Sequence, residues 1–154
     1  MRNVLDNKQN IPYSLHDMYI TEFDVITTDE GAGNNKGILE FCFDNGVIET
    51  KPPYNQTDRM KIRIDGVDID SCDVLLIYDD YADESESRTV SGKRVRIESL
   101  KKEYPDFNIE VVTELYGYNK VQYSGYLNAP GEERLVSVDI SIYYEGDIVY
   151  LTEN

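Results

Sequence analysis

The sequence predicts an all-β fold, mainly an antiparallel sandwich or barrel of about eight to ten short strands with one short helix near residues 97–104. Three observations lead to this prediction. Apolar and polar residues alternate in many short stretches, turn-forming residues separate those stretches, and only one stretch has helical spacing. A chain of 154 residues with 40% hydrophobic residues fits a single domain, residues 1–154, that buries its own core.

In the N-terminal half, residues 18–26 are predicted as one strand, and residues 29–36 as a polar loop. The next strand places its apolar side chains on one face before the hairpin-type turn Asn45-Gly46, after which Val47-Ile48 begins the return. The side chains expected on that face are Leu39, Phe41 and Phe43.

A hairpin is the strongest local prediction, within residues 61–70. Asp65-Gly66 forms a favoured two-residue turn, because both positions tolerate a positive φ. In that register the facing pairs are Ile64 with Val67, Ile62 with Ile69, Arg63 with Asp68, and Lys61 with Asp70. Apolar residues meet on one face and opposite charges on the other, so the pattern predicts two paired strands.

Two further elements follow the hairpin. Residues 73–78 are nearly continuously apolar, which predicts a central strand buried on both faces. Ile97, Leu100 and Tyr104 then share one helical face, and Pro105 ends the helix.

The C-terminal third predicts four strands in a meander over residues 107–152. The first strand is expected to direct one set of side chains to a single face, namely Phe107, Ile109, Val111, Thr113 and Leu115. Residues 117–120 offer a turn into the second strand. In the last hairpin, Ile142 is expected to face Val149, and Ile140 to face Leu151.

The formal net charge is −15, and it is unevenly distributed. Residues 1–87 carry a net charge of −12, residues 88–102 one of +5, and residues 103–154 one of −8. The central group, here called the basic segment, contains Arg88, Lys93, Arg94, Arg96, Lys101 and Lys102. The acidic excess opposes binding to nucleic acid and to anionic membranes, and it favours a basic protein partner.

An acidic segment, residues 79–86, directly precedes the basic one. One interpretation is a solvated loop, and the other is a docking surface in which tyrosines among carboxylates anchor a partner. The residues predicted to bind that partner are Tyr78, Asp79, Asp80, Tyr81, Asp83, Glu84 and Glu86.

The sequence gives little support for catalysis, and it predicts a protein that is not an enzyme. His16 is the sole histidine, and Asp17 would point to the opposite face if a strand has already begun there. A hydrolase using His16 would need an acid from another strand. Asp65, Asp68, Asp70 and Asp73 lack the order of ligands found in calcium loops, so no metal and no cofactor are predicted.

Cysteine content and the N-terminal sequence bear on the cellular compartment. Cys42 and Cys72 are expected to be buried free thiols, with a single bridge as the open alternative. The first residues contain no apolar run of the kind found in signal peptides, so a cytoplasmic location is expected.

Two stretches resemble a known group of proteins. Residues 12–20, Pro-Tyr-Ser-Leu-His-Asp-Met-Tyr-Ile, and residues 39–46, Leu-Glu-Phe-Cys-Phe-Asp-Asn-Gly, resemble the start of small acidic bacterial β-proteins that include immunity proteins of polymorphic toxin systems. The resemblance covers about the first third of the chain, and no functional residues transfer. It implies a cytoplasmic protein that binds and neutralises a toxin domain.

Charge, absent catalytic motifs and this resemblance together predict a non-enzymatic, immunity-type inhibitor of a basic toxin or effector protein. The alternative is a small-ligand protein that binds a glycan or lipid on a tyrosine-rich surface. The tyrosines that would form that surface are Tyr116, Tyr118, Tyr123, Tyr126, Tyr143, Tyr144 and Tyr150.

Overall fold

The computed structural model describes residues 1–5, 10–29, 35–80 and 89–153, and most of these residues lie in strands. The strands are β1 (Arg2–Val4), β2 (Tyr13–Ser14), β3 (Met18–Ile20), β4 (Glu22–Asp29), β5 (Lys36–Phe43), β6 (Ile48–Glu49), β7 (Met60–Asp68), β8 (Asp73–Asp79), β9 (Val90–Arg96), β10 (Asn108–Gly117), β11 (Lys120–Asn128), β12 (Leu135–Tyr143) and β13 (Ile148–Thr152). The predicted all-β class is confirmed. Nine strands have five or more residues, and four have only two or three.

Two antiparallel sheets pack face to face as a sandwich. The five-stranded sheet has the order β1-β13-β7-β5-β4, the six-stranded sheet has the order β3-β10-β11-β12-β8-β9, and β2 pairs with β6 in a small third sheet. Inward side chains of both large sheets form one hydrophobic core. Phe41 of β5 and Tyr123 of β11 meet across it edge to face, with ring centroids 5.7 Å apart. Such pairs add to the free energy gained from burial.

The first three predicted strands of the meander are present as β10, β11 and β12, paired in sequence order. A β-bulge interrupts β10, because Val111 pairs with Gly125 and Thr113 with Ser124, which leaves Val112 without an opposite residue. After the bulge, odd-numbered residues of β10 point to the outer side of the sheet instead of into the core. Leu115 is consequently 57% exposed, and the prediction that it points inward is wrong.

The predicted hairpin at Asp65-Gly66 is wrong. Residues Met60–Asp68 form one continuous strand, β7, in which Gly66 has a φ of 63°. The pairing with β5 shifts at this point, so Asp65-Gly66 lies at a bulge rather than a turn. The chain at Gly146 passes so close to β7 that a Cβ added to Gly146 would lie 2.5 Å from the Asp65 carbonyl oxygen. Gly66 therefore serves a bulge and a close crossing of two chain segments.

The expected pairing of the last two strands is also wrong. β12 pairs with β11 and β8, whereas β13 pairs with β1 and β7 in the other sheet. Ile142 consequently lies opposite Val121, and Val149 opposite Arg63. Residues 144–147 carry the chain from one sheet to the other instead of closing a hairpin.

The N-terminal prediction is correct in its strand content but not in its pairing. Residues 18–26 are divided at Thr21 between β3 and β4, which belong to different sheets. Leu39, Phe41 and Phe43 are buried on β5 as predicted. The Asn45-Gly46 turn is present, but the returning β6 pairs with β2 instead of β5.

The remaining elements agree more closely with the sequence. β8 alternates between buried and half-buried positions, so it is not buried on both faces, and it lies second from the sheet edge. The predicted helix is confirmed as a 3-10 turn, Ile97–Ser99, that continues into α1 (Leu100–Glu103). Cys42 and Cys72 are both buried and free, as predicted.

Candidate functional site

The outer face of the six-stranded sheet is the broadest surface that the strands present, and it is here called the open face. Strand pairing arranges its side chains in three parallel rows. The first row contains Tyr19, Glu110, Tyr126, Ser137 and Ile77, the second Thr113, Ser124, Asp139, Leu75 and Arg94, and the third Leu115, Gln122, Ser141, Asp73 and Arg96. All of these residues are exposed or half-buried, because the alternate residues of each strand fill the core.

The centre of the open face combines serine with tyrosine. The middle of this face carries only short side chains, those of Ser124, Ser137 and Ser141. The neighbouring side chains of Tyr19 and Tyr126 are 40% and 39% exposed. Tyrosine offers a large amphipathic surface at a low entropic cost, and serine adapts its hydrogen bonds to a partner. The face therefore has the composition of a protein-binding surface.

The open face also carries free negative charge. Within the described part of the chain, the carboxylates of Glu110 and Asp139 form no hydrogen bond or ion pair. Asp73, in contrast, is paired with Arg94 at the far edge of the same face. A basic partner would meet two uncompensated carboxylates beside the tyrosines.

The basic segment is largely neutralised by the protein itself. Its described ion pairs are Lys93 with Glu103, Arg94 with Asp73, Arg96 with Asp70 and Glu98, and Lys101 with Asp24. The predicted pairs of Lys61 with Asp70 and Arg63 with Asp68 are replaced by Lys61 with Glu40 and Arg63 with Asp65. Among the described residues, nine of thirteen lysines and arginines form ion pairs with carboxylates.

Three of the seven residues predicted to bind a partner lie at the end of β8, and the other four lie outside the described residues. Tyr78 is buried, its hydroxyl accepts a hydrogen bond from Tyr104 at 3.1 Å, and the Arg134 guanidinium lies 4.2 Å from its ring centroid. This position does not suit an exposed anchor. Asp79 and Asp80 are half-buried at the end of β8. The last four predicted residues, Tyr81, Asp83, Glu84 and Glu86, lie outside the described residues.

The tyrosines proposed for a glycan- or lipid-binding surface do not share one face. Tyr118, Tyr126 and Tyr143 are exposed. The others turn inward, where Tyr123, Tyr144 and Tyr150 are buried and Tyr116 is half-buried. The bulge at Val112 sends Tyr116 to the inner side, and the sequence pattern contains no signal for it.

His16 lies at the surface beside β10. Its Nδ1 is 2.8 Å from the Val112 carbonyl oxygen, and its Nε2 is 3.4 Å from the Asp17 carboxylate. Asp17 does not point away from this ring, because it has a φ of 62° and β3 begins only at Met18. Both side chains are more than half exposed, so the pair lacks the desolvated setting typical of a catalytic base.

No group of three or more histidine, cysteine, aspartate or glutamate side chains in the described ranges could hold a metal ion. Within the same ranges, no helix is long and apolar enough to cross a bilayer. Neither protein-family models, nor curated proteins, nor solved structures give a match to this chain.

Proposed function

We propose that this chain is a non-enzymatic binding protein, an immunity-type inhibitor that neutralises a basic toxin or effector protein through the open face. The observation that carries the proposal is the combination found there: exposed tyrosines, small serines, and the unpaired carboxylates of Glu110 and Asp139. Acidic residues elsewhere in the chain contribute to the attraction through the field of the whole protein.

The charge distribution supports rapid capture of a basic partner. Most described lysines and arginines are held in ion pairs, so little free positive charge is left among the described residues to oppose the acidic excess of the chain. A field of one sign steers an oppositely charged protein and raises the association rate by roughly 10- to 1000-fold at low salt. Affinity then depends on the few aromatic side chains that become fully buried, here Tyr19 and Tyr126.

The inhibitor is proposed to act by covering the active site of the toxin, without catalysing a reaction. A rigid sheet face presents its side chains in fixed rows, so a partner is bound without reorganising the backbone. Nuclease and other toxin active sites that act on phosphates are basic, and an acidic face that covers such a site excludes its substrate.

Growth rescue with matched charge reversals tests the proposal. The chain is co-expressed with any basic toxin domain that is found encoded beside its gene, and the wild type is expected to restore growth. The face variant Glu110→Lys/Asp139→Lys should lose rescue. The control Asp58→Lys/Asp147→Lys changes two exposed carboxylates elsewhere by the same total charge and should retain it. Rescue that is absent for the wild type contradicts the function, and equal rescue by both variants contradicts the role of the open face.

A further inference from the structure

A cleft beside the bulge of β10 contains polar groups that the open face does not use. It has a volume of about 420 Å³ and lies between residues 11–16, Thr50, and β10. The side chains that give the cleft its chemical character are Tyr13, His16, Glu114 and Tyr116. The bulge at Val112 directs Glu114 inward to this cleft, whereas an unbroken strand would direct it to the open face.

Glu114 is the only carboxylate among the described residues that line this cleft, and it lacks a cation. One of its oxygens accepts a hydrogen bond from the Leu15 backbone N–H at 2.6 Å, and the other accepts one from the Tyr116 hydroxyl at 2.7 Å. No lysine or arginine forms an ion pair with it in the described part of the chain. Burial raises the pKa of this carboxyl, and the hydrogen bonds from Tyr116 and Leu15, followed by the nearby His16, oppose that change only in part. A desolvated carboxylate of this kind is stabilised by a cation that enters beside it.

Two of the residues that line the cleft, Tyr13 and Tyr116, are aromatic. Tyr150 packs 5.1 Å from Tyr13, and Tyr123 packs 6.4 Å from Tyr116, measured between ring centroids. Tyr123 and Tyr150 are buried behind these rings and do not line the cleft. The cleft thus offers one negative charge beside aromatic rings.

We propose that this cleft binds the alkylammonium or alkylguanidinium group of a ligand, with Glu114 as its counter-ion. Aromatic rings attract organic cations through their faces, and charge-assisted hydrogen bonds from N–H groups to a carboxylate are among the strongest in proteins. A single carboxylate among tyrosines does not provide the six to eight oxygen ligands that calcium requires. Glu114 lies on the side of β10 opposite to the open face, although Thr113 of that face also lines the cleft.

Titration with small probes tests this proposal. n-Butylguanidinium and n-butylammonium are added to the full chain and followed by NMR, with n-butylurea as the neutral analogue of the same shape. We expect saturable shifts at Ser14, Val112 and Tyr116 with the cations, and binding of n-butylurea that is weaker by about tenfold or more. Equal binding of n-butylurea, or no saturable shifts up to about 10 mM cation, overturns the proposal.

Two variants locate the counter-ion. Glu114→Gln keeps the shape of the side chain and should weaken n-butylguanidinium binding about tenfold or more, whereas Glu133→Gln, at an exposed glutamate that does not line the cleft, should leave it unchanged. Unchanged binding to a folded Glu114→Gln variant overturns the assignment. The n-butylurea comparison uses the wild type, so it decides the question even if this variant does not fold.

A blocked tripeptide, N-acetyl-Gly-Arg-Gly-amide, distinguishes the source of the cation. Binding comparable to that of n-butylguanidinium shows that the cleft admits an arginine side chain of another protein. Exclusion of the tripeptide while n-butylguanidinium binds assigns the cleft to a free small molecule. Both results support the cation site. Neither bears on the growth-rescue test, so the two proposals fail separately.

Discussion

Gly125 is the residue on which the bulge of β10 depends most directly. A Cβ at this position would lie 1.8 Å from the Glu110 carbonyl oxygen and 3.1 Å from the Val112 nitrogen. Both contacts are backbone atoms of the neighbouring strand, so no flexible side chain can move aside. Gly125→Ala therefore forces β10 and β11 apart at the bulge.

The size of the effect follows from this geometry. Restoring even a 3.0 Å contact requires the Glu110 oxygen and the new Cβ to move apart by about 1.2 Å from their 1.8 Å separation. A backbone hydrogen bond near 2.9 Å stretched by that amount is lost. Overpacking costs about 1–3 kcal/mol, and each lost hydrogen bond adds about 0.5–1.5 kcal/mol. With two bonds lost, the free energy of unfolding should fall by about 2–6 kcal/mol.

Urea unfolding of two alanine variants measures this cost. At about 1–3 kcal/mol per molar urea, Gly125→Ala should lower the unfolding midpoint by roughly 1–2 M. Gly92→Ala is the matched control on edge strand β9, where the nearest atom to a new Cβ is 3.9 Å away, and it should change the free energy of unfolding by less than about 1 kcal/mol. If Gly125→Ala unfolds at the wild-type midpoint, the bulge and the inward position of Glu114 are wrong.

Three further outcomes are expected. Burial raises the pKa of Glu114 in the folded state, so the stability of the wild type relative to Glu114→Gln should be greatest below the unfolded pKa of glutamate and should fall as the pH rises through the folded pKa. Urea unfolding of both proteins between about pH 3 and 8 measures this trend. A difference in stability that does not change with pH contradicts the raised pKa. Burial raises the pKa of Cys72 to about 11, so iodoacetamide at about pH 8 should modify Cys72 only after unfolding, and modification of the native protein at the unfolded rate would refute its burial. Tyr104→Phe removes the hydrogen bond to Tyr78 and should cost about 0.5–1.5 kcal/mol in thermal or urea unfolding, whereas no change would mean that water replaces this bond.

The sequence predicted strand content well, because alternation of apolar residues is a local property. The turn between β10 and β11 was predictable for the same reason, since residues 117–120 connect neighbouring strands directly. Asp65-Gly66 misled the prediction because a hairpin turn and a bulge both need a residue with a positive φ. The flanking alternation is compatible with both structures, and only the path of Gly146 across this point distinguishes them.

The candidate sites were less accessible to sequence reasoning. Glu110 and Tyr126 become neighbours through the pairing of β10 with β11, and the predicted meander already contained that pairing. Their exposure depends on the strand order of the two sheets, which the sequence did not predict. Glu114 was assigned no role, because its inward position results from one extra residue at Val112. The alternation of apolar and polar residues does not indicate a bulge at Val112, since valine suits a regular strand as well as a bulge.

The salt dependence of association with the toxin domain shows whether the partner docks on the open face. The association rate constants of the wild type, Glu110→Lys/Asp139→Lys and Asp58→Lys/Asp147→Lys are measured by stopped flow at about 20 mM and about 200 mM salt. If the partner docks on the open face, Glu110→Lys/Asp139→Lys should associate about tenfold more slowly than the control at low salt. The difference between the two rate constants should shrink as salt screens the charges. Equal association rates for the two variants, which carry the same net charge, would contradict docking on the open face.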